Sequence, residues 1–410
     1  MRLSRETMRM DWTLVGIVLL LTGIGITMVY SATVNDPVVW YKSFWFRQVI
    51  HFIIGWVLAL GIVVTKPRFW YNMAYPAYIV TILMLVFVLF VGGQESHGAG
   101  RWIGLGFFHI QPSEFAKIGY LLALSRFLSG SRVSLERPAT FIIPAFLFVI
   151  PFLLVLKQPN LSTALVFSAT TLVAMYWSGL RLVDLFLLLS PLFSVVAAMN
   201  QIAWGLLIAI VIAVIWVRKL PAFFAVLVLV LNIGGGYGSY LVWNSMLEDH
   251  QRSRILTFAD PMRDPKGAGY QVIQSEVTIG SGGFLGKGFG EGSQTNLAFL
   301  PEEHTDFIFS VLSEQFGLLG GIVVLFLFYL LILRGINICQ VHGSPFVNLM
   351  AVGAVTILFF HIFVNVAMTI GMAPVTGLPL PFLSYGGSFV MTTMILVGFL
   401  LQLRIKGDEM

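Results

Sequence analysis

The sequence predicts an all-α polytopic membrane protein, a bundle of about 10–12 transmembrane helices with a long extracytoplasmic loop carrying a short amphipathic helix. Three observations predict it. Apolar runs long enough to cross a hydrocarbon layer of about 30 Å recur along the chain. Hydrophobic residues make up 58% of it and charged residues only 10%, where a soluble domain has roughly a quarter charged. The runs also lack the period-2 alternation of barrel strands, so helices must satisfy the backbone in lipid.

In order, the runs fall near residues 12–30, 48–65, 74–91, 113–128, 139–156, 161–177, 182–199, 202–217, 221–243, 307–333, 347–370 and 388–403. The first follows MRLSRETMRMD and ends at Ser31-Ala32-Thr33, which resembles a secretory signal. Its length, nearly 20 residues, and the many spans after it make it a membrane helix instead. Loops of only a few residues separate the runs at 182–199, 202–217 and 221–243, and a re-entrant run among these three would change the parity of the crossings.

Basic residues set the orientation, because cytoplasmic loops keep the excess of Lys and Arg. With the N-terminus inside, the inner segments carry 14 Lys and Arg and the short outer loops carry four, Lys42, Arg47, Arg101 and Lys157. Both termini are therefore expected in the cytoplasm, with residues 244–306 outside. The net charge of +5 is dispersed in these loops and points to topology, not to nucleic acid. A single cysteine, Cys339, excludes an internal disulfide and a multi-cysteine metal site.

The interval up to Asp306 is the one long polar stretch, and nine of the 19 acidic residues lie between Glu248 and Asp306. Asp264 before Pro265 reads as a helix N-cap with proline at the first helical position. Tyr270, Ile273 and Val277 then form an apolar stripe that Gly280 ends, a short helix lying on the membrane surface. Asp264 either caps this helix or serves as a general base at the lipid–water boundary, beside Arg263 and Lys266, where anionic head groups would collect. The glycine run Gly280 to Gly292 lacks the Lys-Ser/Thr of a phosphate loop and follows no strand, so it reads as an irregular loop. Pro301-Glu302-Glu303-His304-Thr305-Asp306 offers oxygen ligands that would suit a divalent cation, magnesium or manganese, although Thr305 or Asp306 as a helix cap is the plainer reading.

Polar residues also enter the apolar runs. Pro112 starts a helix on which Glu114 and Lys117, at i and i+3, share a face. An ionisable pair inside a membrane is either functional or a satisfied structural ion pair. Lys157-Gln158-Pro159-Asn160 ends another helix on the same outer side. Lys157 either snorkels there or adds a cation to a head-group cavity. His361 and Asn365, at i and i+4, are expected to hydrogen-bond between helices. Residues 374–388, PVTGLPLPFLSYGGS, form a Pro/Gly-broken stretch that includes Thr376 and Ser384. At membrane depth such backbone must line protein or a wet cavity.

These motifs together resemble the SEDS family (shape, elongation, division, sporulation) of polytopic peptidoglycan glycosyltransferases. The resemblance rests on GRWI at 100–103, QPSExxK at 111–117, KQPxLxTA at 157–164, DPxGxGYQxIQS at 264–275, IGSGGxxGKG at 279–288, FLPEEHTDFIF at 299–309 and PVTGLPLPFLSYGGS at 374–388. They occur in the family's order over nearly the whole chain, in wording nearer the elongation branch than the division branch. The resemblance implies one membrane domain, residues 1–410, that polymerises lipid II into glycan strands during cell elongation. It implies Asp264 as catalytic base and undecaprenyl pyrophosphate as leaving group, helped by a divalent cation or by nearby cations. Arg101, Glu114, Lys117, Lys157, Lys266, His304, Thr376 and Ser384 are the expected substrate-cavity residues. A class B penicillin-binding protein, the transpeptidase, is the implied partner, with other elongation-complex membrane proteins and no nucleic acid.

Two features depart from the family. Asn160 and Ser162 stand where many members have Asp and Gly, so Asn160 is given no catalytic role. Three apolar runs lie between Leu180 and Arg252 where the ten-helix plan of the family has one, which makes 182–217 an expected extra hairpin. The rival reading is a lipid II flippase, which polytopic architecture and broken helices would also serve. Against it stand the absence of an inverted repeat and the concentration of polar motifs on one face. A non-catalytic scaffold for the transpeptidase is the third reading.

Overall fold

Each expected apolar run folds as a helix. The computed structural model describes residues 10–34, 39–91, 100–105, 108–130, 142–241, 260–264, 268–297, 299–341 and 344–410. In chain order the helices are α1 (Trp12–Thr33), α2 (Phe44–Val64), α3 (Pro67–Val91), α4 (Pro112–Leu128), α5 (Ile142–Leu156), α6 (Leu161–Trp177), α7 (Leu182–Ala197), α8 (Gln201–Arg218) and α9 (Ala222–Leu241). They continue with α10 (Ala268–Ser281), the short α11 (Ser293–Asn296), α12 (Ile308–Val341), α13 (Pro345–Thr369) and α14 (Gly387–Lys406). Eight are long and apolar enough to cross a membrane, namely α1–α3, α8, α9 and α12–α14, and α5–α7 are shorter apolar helices. Among the described residues the only sheet is a hairpin that the sequence did not suggest, β1 (Ile103–Leu105) on β2 (Phe108–Ile110).

Local chemistry explains several helix starts. Asp11 Oδ1 accepts from Leu14 N at 3.0 Å, Asn160 Oδ1 from Thr163 N at 3.1 Å, and Asn200 Oδ1 from Ile202 N at 3.0 Å. Each satisfies one of the amide donors that a helix start leaves over. Pro112 and Pro345 open α4 and α13, where a missing N–H is harmless. The expected cap at Thr305 or Asp306 is different. Thr305 Oγ1 donates back to Glu302 O at 3.1 Å, and the helix begins at Ile308.

α12 contains 34 residues, about 51 Å of helix, too long for one crossing. Gly317, at φ 65° and ψ −163°, divides it into a stub at the polar face and a limb of about 36 Å that suits the bilayer. α13 and α14 are the most buried spans. With α1, α2, α4 and α12 they enclose the main core, and α3–α6 surround a second, smaller one. α4 is buried except at Phe115, Arg126 and Phe127, so Glu114 and Lys117 lie inside the protein and not against lipid.

The expected extra hairpin, 182–217, corresponds to α7 and α8, but α7 packs most extensively on α9, making a three-helix group that touches the rest mainly between α7 and α6. A buried polar triad ties it together. Asn232 Nδ2 donates to Ser190 Oγ at 2.8 Å, and Ser194 Oγ donates to Asn232 Oδ1 at 2.7 Å. Arg218 makes a bidentate pair with Asp184 at 2.9 and 2.7 Å.

Candidate active site

The polar motifs converge on one face. It is formed by the N-terminal ends of α2, α4, α6, α12 and α14 and by the C-terminal ends of α1, α5 and α13. Across it runs a non-helical strap, residues 373–386, whose backbone is held by its neighbours. Gln48 Nε2 donates to Ser384 O at 2.9 Å, Ser162 Oγ to Thr376 O at 2.5 Å, and Asn365 Nδ2 to Leu378 O at 2.7 Å. Tyr385 N donates to His304 O at 2.9 Å. Gly25 lets the strap come close, because a Cβ there would collide with the Phe382 carbonyl and lie 2.8 Å from Leu383 Cα. Buried non-helical backbone at this depth is tolerable because these bonds replace water.

Beneath the strap lies the expected Glu114–Lys117 pair, Oε2 to Nζ 2.8 Å, with both side chains almost wholly buried. Lys117 Nζ also lies 2.9 Å from His361 Nε2, and His361 Nδ1 lies 3.2 Å from Pro379 O. An ammonium can only donate, so Nε2 accepts and the ring proton sits on Nδ1, facing the strap. A line of polar contacts thus runs from Glu114 through Lys117 and His361 to the Pro379 carbonyl. Lys117, expected to help neutralise a leaving group, is enclosed by protein and engaged on two sides. Asn365 joins the same system, donating also to Asp306 O at 2.8 Å. His361 and Asn365 therefore act between elements, as their spacing suggested.

Of the other expected site residues, Asp264 and Lys157 are exposed, Arg101, His304 and Thr376 are half-buried, and Ser384 is buried. Asp264 is exposed, at the end of a 3-10 turn over Pro261–Arg263 that Asp260 caps through Met262 N at 3.1 Å. Its carbonyl accepts from Gly269 N at 3.0 Å, which folds the turn onto the start of α10. Pro265, Lys266 and Gly267 lie outside the described residues, and with them the expected proline at the first helical position. The predicted amphipathic helix is present as α10, ending one residue beyond Gly280. Arg101 donates to Gln158 O at 2.6 Å and Pro159 O at 2.5 Å, bracing the turn that carries the exposed Lys157. His304 packs against Phe44 with ring centroids 4.4 Å apart and near Tyr385 at 5.8 Å. Thr376 Oγ1 reaches Met368 Sδ at 3.5 Å. Ser384 is fully buried, and its hydroxyl accepts from Leu380 N at 2.7 Å inside the strap's own turn. Asp306 lies over Gly377, where an added Cβ would stand 3.2 Å from Oδ2.

Sequence reasoning missed Glu314 and Lys287. Glu314 is fully buried in the α12 stub and pairs with Lys287 at 2.7 Å, in the middle of the glycine run. The available signal was a lone carboxylate in the apolar string SVLSEQFGLLG, three residues before a glycine. Among the described residues, no group of three or more His, Cys, Asp and Glu side chains gathers as a metal site. The donor set here does not by itself fit a divalent cation.

The fold and this face define the class: a multi-pass α-helical membrane protein with its polar chemistry collected at one end of the bundle. The pattern of the FtsW, RodA and SpoVE family, described as cell cycle protein, matches residues 11–204 and 189–408, its two segments overlapping across the junction of α7 and α8. Peptidoglycan glycosyltransferase MrdB of Escherichia coli (strain K12) is 34% identical over 399 residues, 97% of this chain and 94% of the relative. Peptidoglycan glycosyltransferase RodA of Treponema pallidum (strain Nichols) is 33% identical over 426 residues, 97% of this chain and 98% of the relative. A chain from a structure described as the coordination of polymerization and crosslinking by a peptidoglycan synthase complex superposes with a TM-score of 0.72, at 31% identity, covering 96% of this chain and 97% of that one. The chain belongs to the FtsW/RodA/SpoVE family.

Proposed function

We propose that the polar face polymerises lipid II, with Asp264 as the general base. The enzyme class is peptidoglycan glycosyltransferase, and family membership and full-length relatives of that name support it. In the proposed step Asp264 takes the proton of the acceptor sugar's 4-hydroxyl. The oxygen bonds to the anomeric carbon of the growing chain as the bond to pyrophosphate breaks, and undecaprenyl pyrophosphate leaves with the electron pair. The observation that carries the reading is the exposed carboxylate of Asp264 on the turn folded against α10, a helix bonded to the ends of α12 and α13 at the polar face.

Arg101, Lys266 and Lys157, the last of them exposed, are the proposed cations for the leaving pyrophosphate. A divalent cation remains a proposal for the substrate's own phosphates, and no step here is assigned to it. The polar face is proposed to lie outside the cytoplasmic membrane, with both termini in the cytoplasm. The basic residues of the opposite end support this orientation. Arg126 there donates to Tyr71 O at 3.0 Å, and Lys406 to Val64 O at 2.8 Å. A transpeptidase of the class B penicillin-binding type is the proposed partner, and the likeness to a chain of a synthase complex supports it. Service in cell elongation is supported by the relatives named MrdB and RodA.

The test is glycan synthesis from lipid II by the purified protein in detergent, where no second compartment exists to transport into. The expected result is polymer from the native chain and none from a folded Asp264→Asn variant. Polymer made by Asp264→Asn at the native rate would exclude the base assignment. Lipid II movement across vesicles without any polymer would establish the flippase instead.

A further inference from the structure

The glycine-rich segment after α10 closes around a carboxylate. Glu314 Oε1 accepts from Lys287 Nζ at 2.7 Å and Gln294 N at 2.9 Å, while Oε2 accepts from Thr295 Oγ1 at 2.8 Å and Thr295 N at 3.2 Å. Lys287 spends its other protons on Ser281 Oγ at 2.8 Å and Ser293 Oγ at 2.7 Å. Charge-assisted bonds of this kind are roughly twice as strong as neutral ones. The main chain adds a ladder: Lys287 N to Glu314 O, Gly288 N to Gln315 O and Leu318 N to Gly283 O, each at 3.0 Å. That ladder exists because α12 is interrupted at Gly317, which releases backbone groups that a continuous helix would use.

The knot lies at one end of a lever. Ser275, halfway along α10, donates to Thr369 O at 2.7 Å and meets Ser310 Oγ at 2.7 Å, fixing the helix to α13 and α12. From Ser275 to Ser281, whose hydroxyl touches Lys287, is about 9 Å of helix. From Ser275 back to Ala268, where the Asp264 turn is folded on, is about 10 Å. With arms of equal length, a shift at the knot returns as a similar shift at Asp264.

We infer that the Lys287–Glu314 pair is a positioning device, pinning the far end of α10 and thereby setting where Asp264 stands over the polar face. This inference rests on the reading of Asp264 as the base. Lys287 and Glu314 act through α10 and are positioning residues, not catalytic ones.

The test compares Lys287→Met, Glu314→Gln, their double variant and Lys287→Arg with the native chain, using lipid II polymerisation in detergent. Displacement of about 1 Å costs on the order of a hundredfold, so kcat of each single variant falls by about that factor while KM for lipid II stays nearly constant. The double variant is no worse than the poorer single one, because both break the same knot. Lys287→Arg, which keeps the charge, restores most of kcat. Thermal unfolding of each variant separates this from lost protein. Lys287 is partly exposed, so Lys287→Met gives the answer if Glu314→Gln does not fold.

Full kcat in Lys287→Met overturns the inference. So does a loss in proportion to the unfolded fraction, a double variant whose loss multiplies those of the singles, or a rise in KM that accounts for the whole effect. Asp264→Asn is run in parallel. If it is inactive while Lys287→Met is normal, only the positioning claim fails. If Asp264→Asn is active, the base reading fails, whatever the Lys287 variants do.

Discussion

Lys117 on α4 and His361 on α13 stand with Nζ and Nε2 2.9 Å apart, and both residues are closed to solvent. The contact joins an intramembrane ion pair to the strap, because the other ring nitrogen of His361 faces Pro379 O. His361→Phe would leave the Pro379 carbonyl and the Lys117 ammonium each one partner short. The expected loss is about 1–3 kcal/mol in unfolding free energy, read by thermal denaturation in detergent. It should be accompanied by faster protease cleavage within residues 373–386.

Lys117→Met should cost more. Glu114 would remain buried without its counter-charge, and breaking one side of a buried pair costs about 3–5 kcal/mol. The double change Glu114→Gln with Lys117→Met should recover part of that loss. A double variant less stable than Lys117→Met would show that the pair does not act as a unit.

Asn160 stands where the family resemblance leads to an expectation of Asp, and its amide oxygen caps α6 through Thr163 N. Asp and Asn cap equally well, so Asn160→Asp should leave polymerisation and stability unchanged, and Asn160→Ala should lower stability by about 1 kcal/mol. A gain of several-fold in kcat for Asn160→Asp would show that a carboxylate there does chemistry.

Gly317→Ala should be severe for its size. A residue with a Cβ at φ 65° and ψ −163°, a region essentially reserved for glycine, costs about 1–3 kcal/mol, and the added atom would stand 2.6 Å from the Phe284 carbonyl carbon and oxygen. Unfolding at a lower temperature, together with a fall in kcat like that of Lys287→Met, is the expected outcome. Unchanged stability would contradict the interrupted helix.

Much of this was legible in the sequence because membrane helices announce themselves by length and apolarity. Glu114 and Lys117 were recognisable as a pair because both lie within one turn of one helix. The three-helix group α7–α9 was legible as extra spans but not as a unit, since its polar triad joins Ser190, Ser194 and Asn232 across 42 residues. Asp264 was singled out only by family resemblance, and spacing alone left it between a cap and a base. Glu314 went unread because its partners lie up to 33 residues away, in a glycine run with no local periodicity. The strap was recognised as broken backbone, but its ties to Gln48 and Ser162 bridge 336 and 214 residues and leave no local pattern.

Those ties have a consequence for how the chain tolerates change. Four of them, from Gln48, Ser162, His361 and Asn365, end on main-chain oxygens of residues 376–384. The route of that stretch is therefore written in the surrounding helices as well as in its own buried side chains, among them Ser384, which holds Leu380 N. Substitutions at its outward residues leave those ties in place, whereas losing the amide of Gln48 from α2 or of Asn365 from α13 removes one of the points that hold the path.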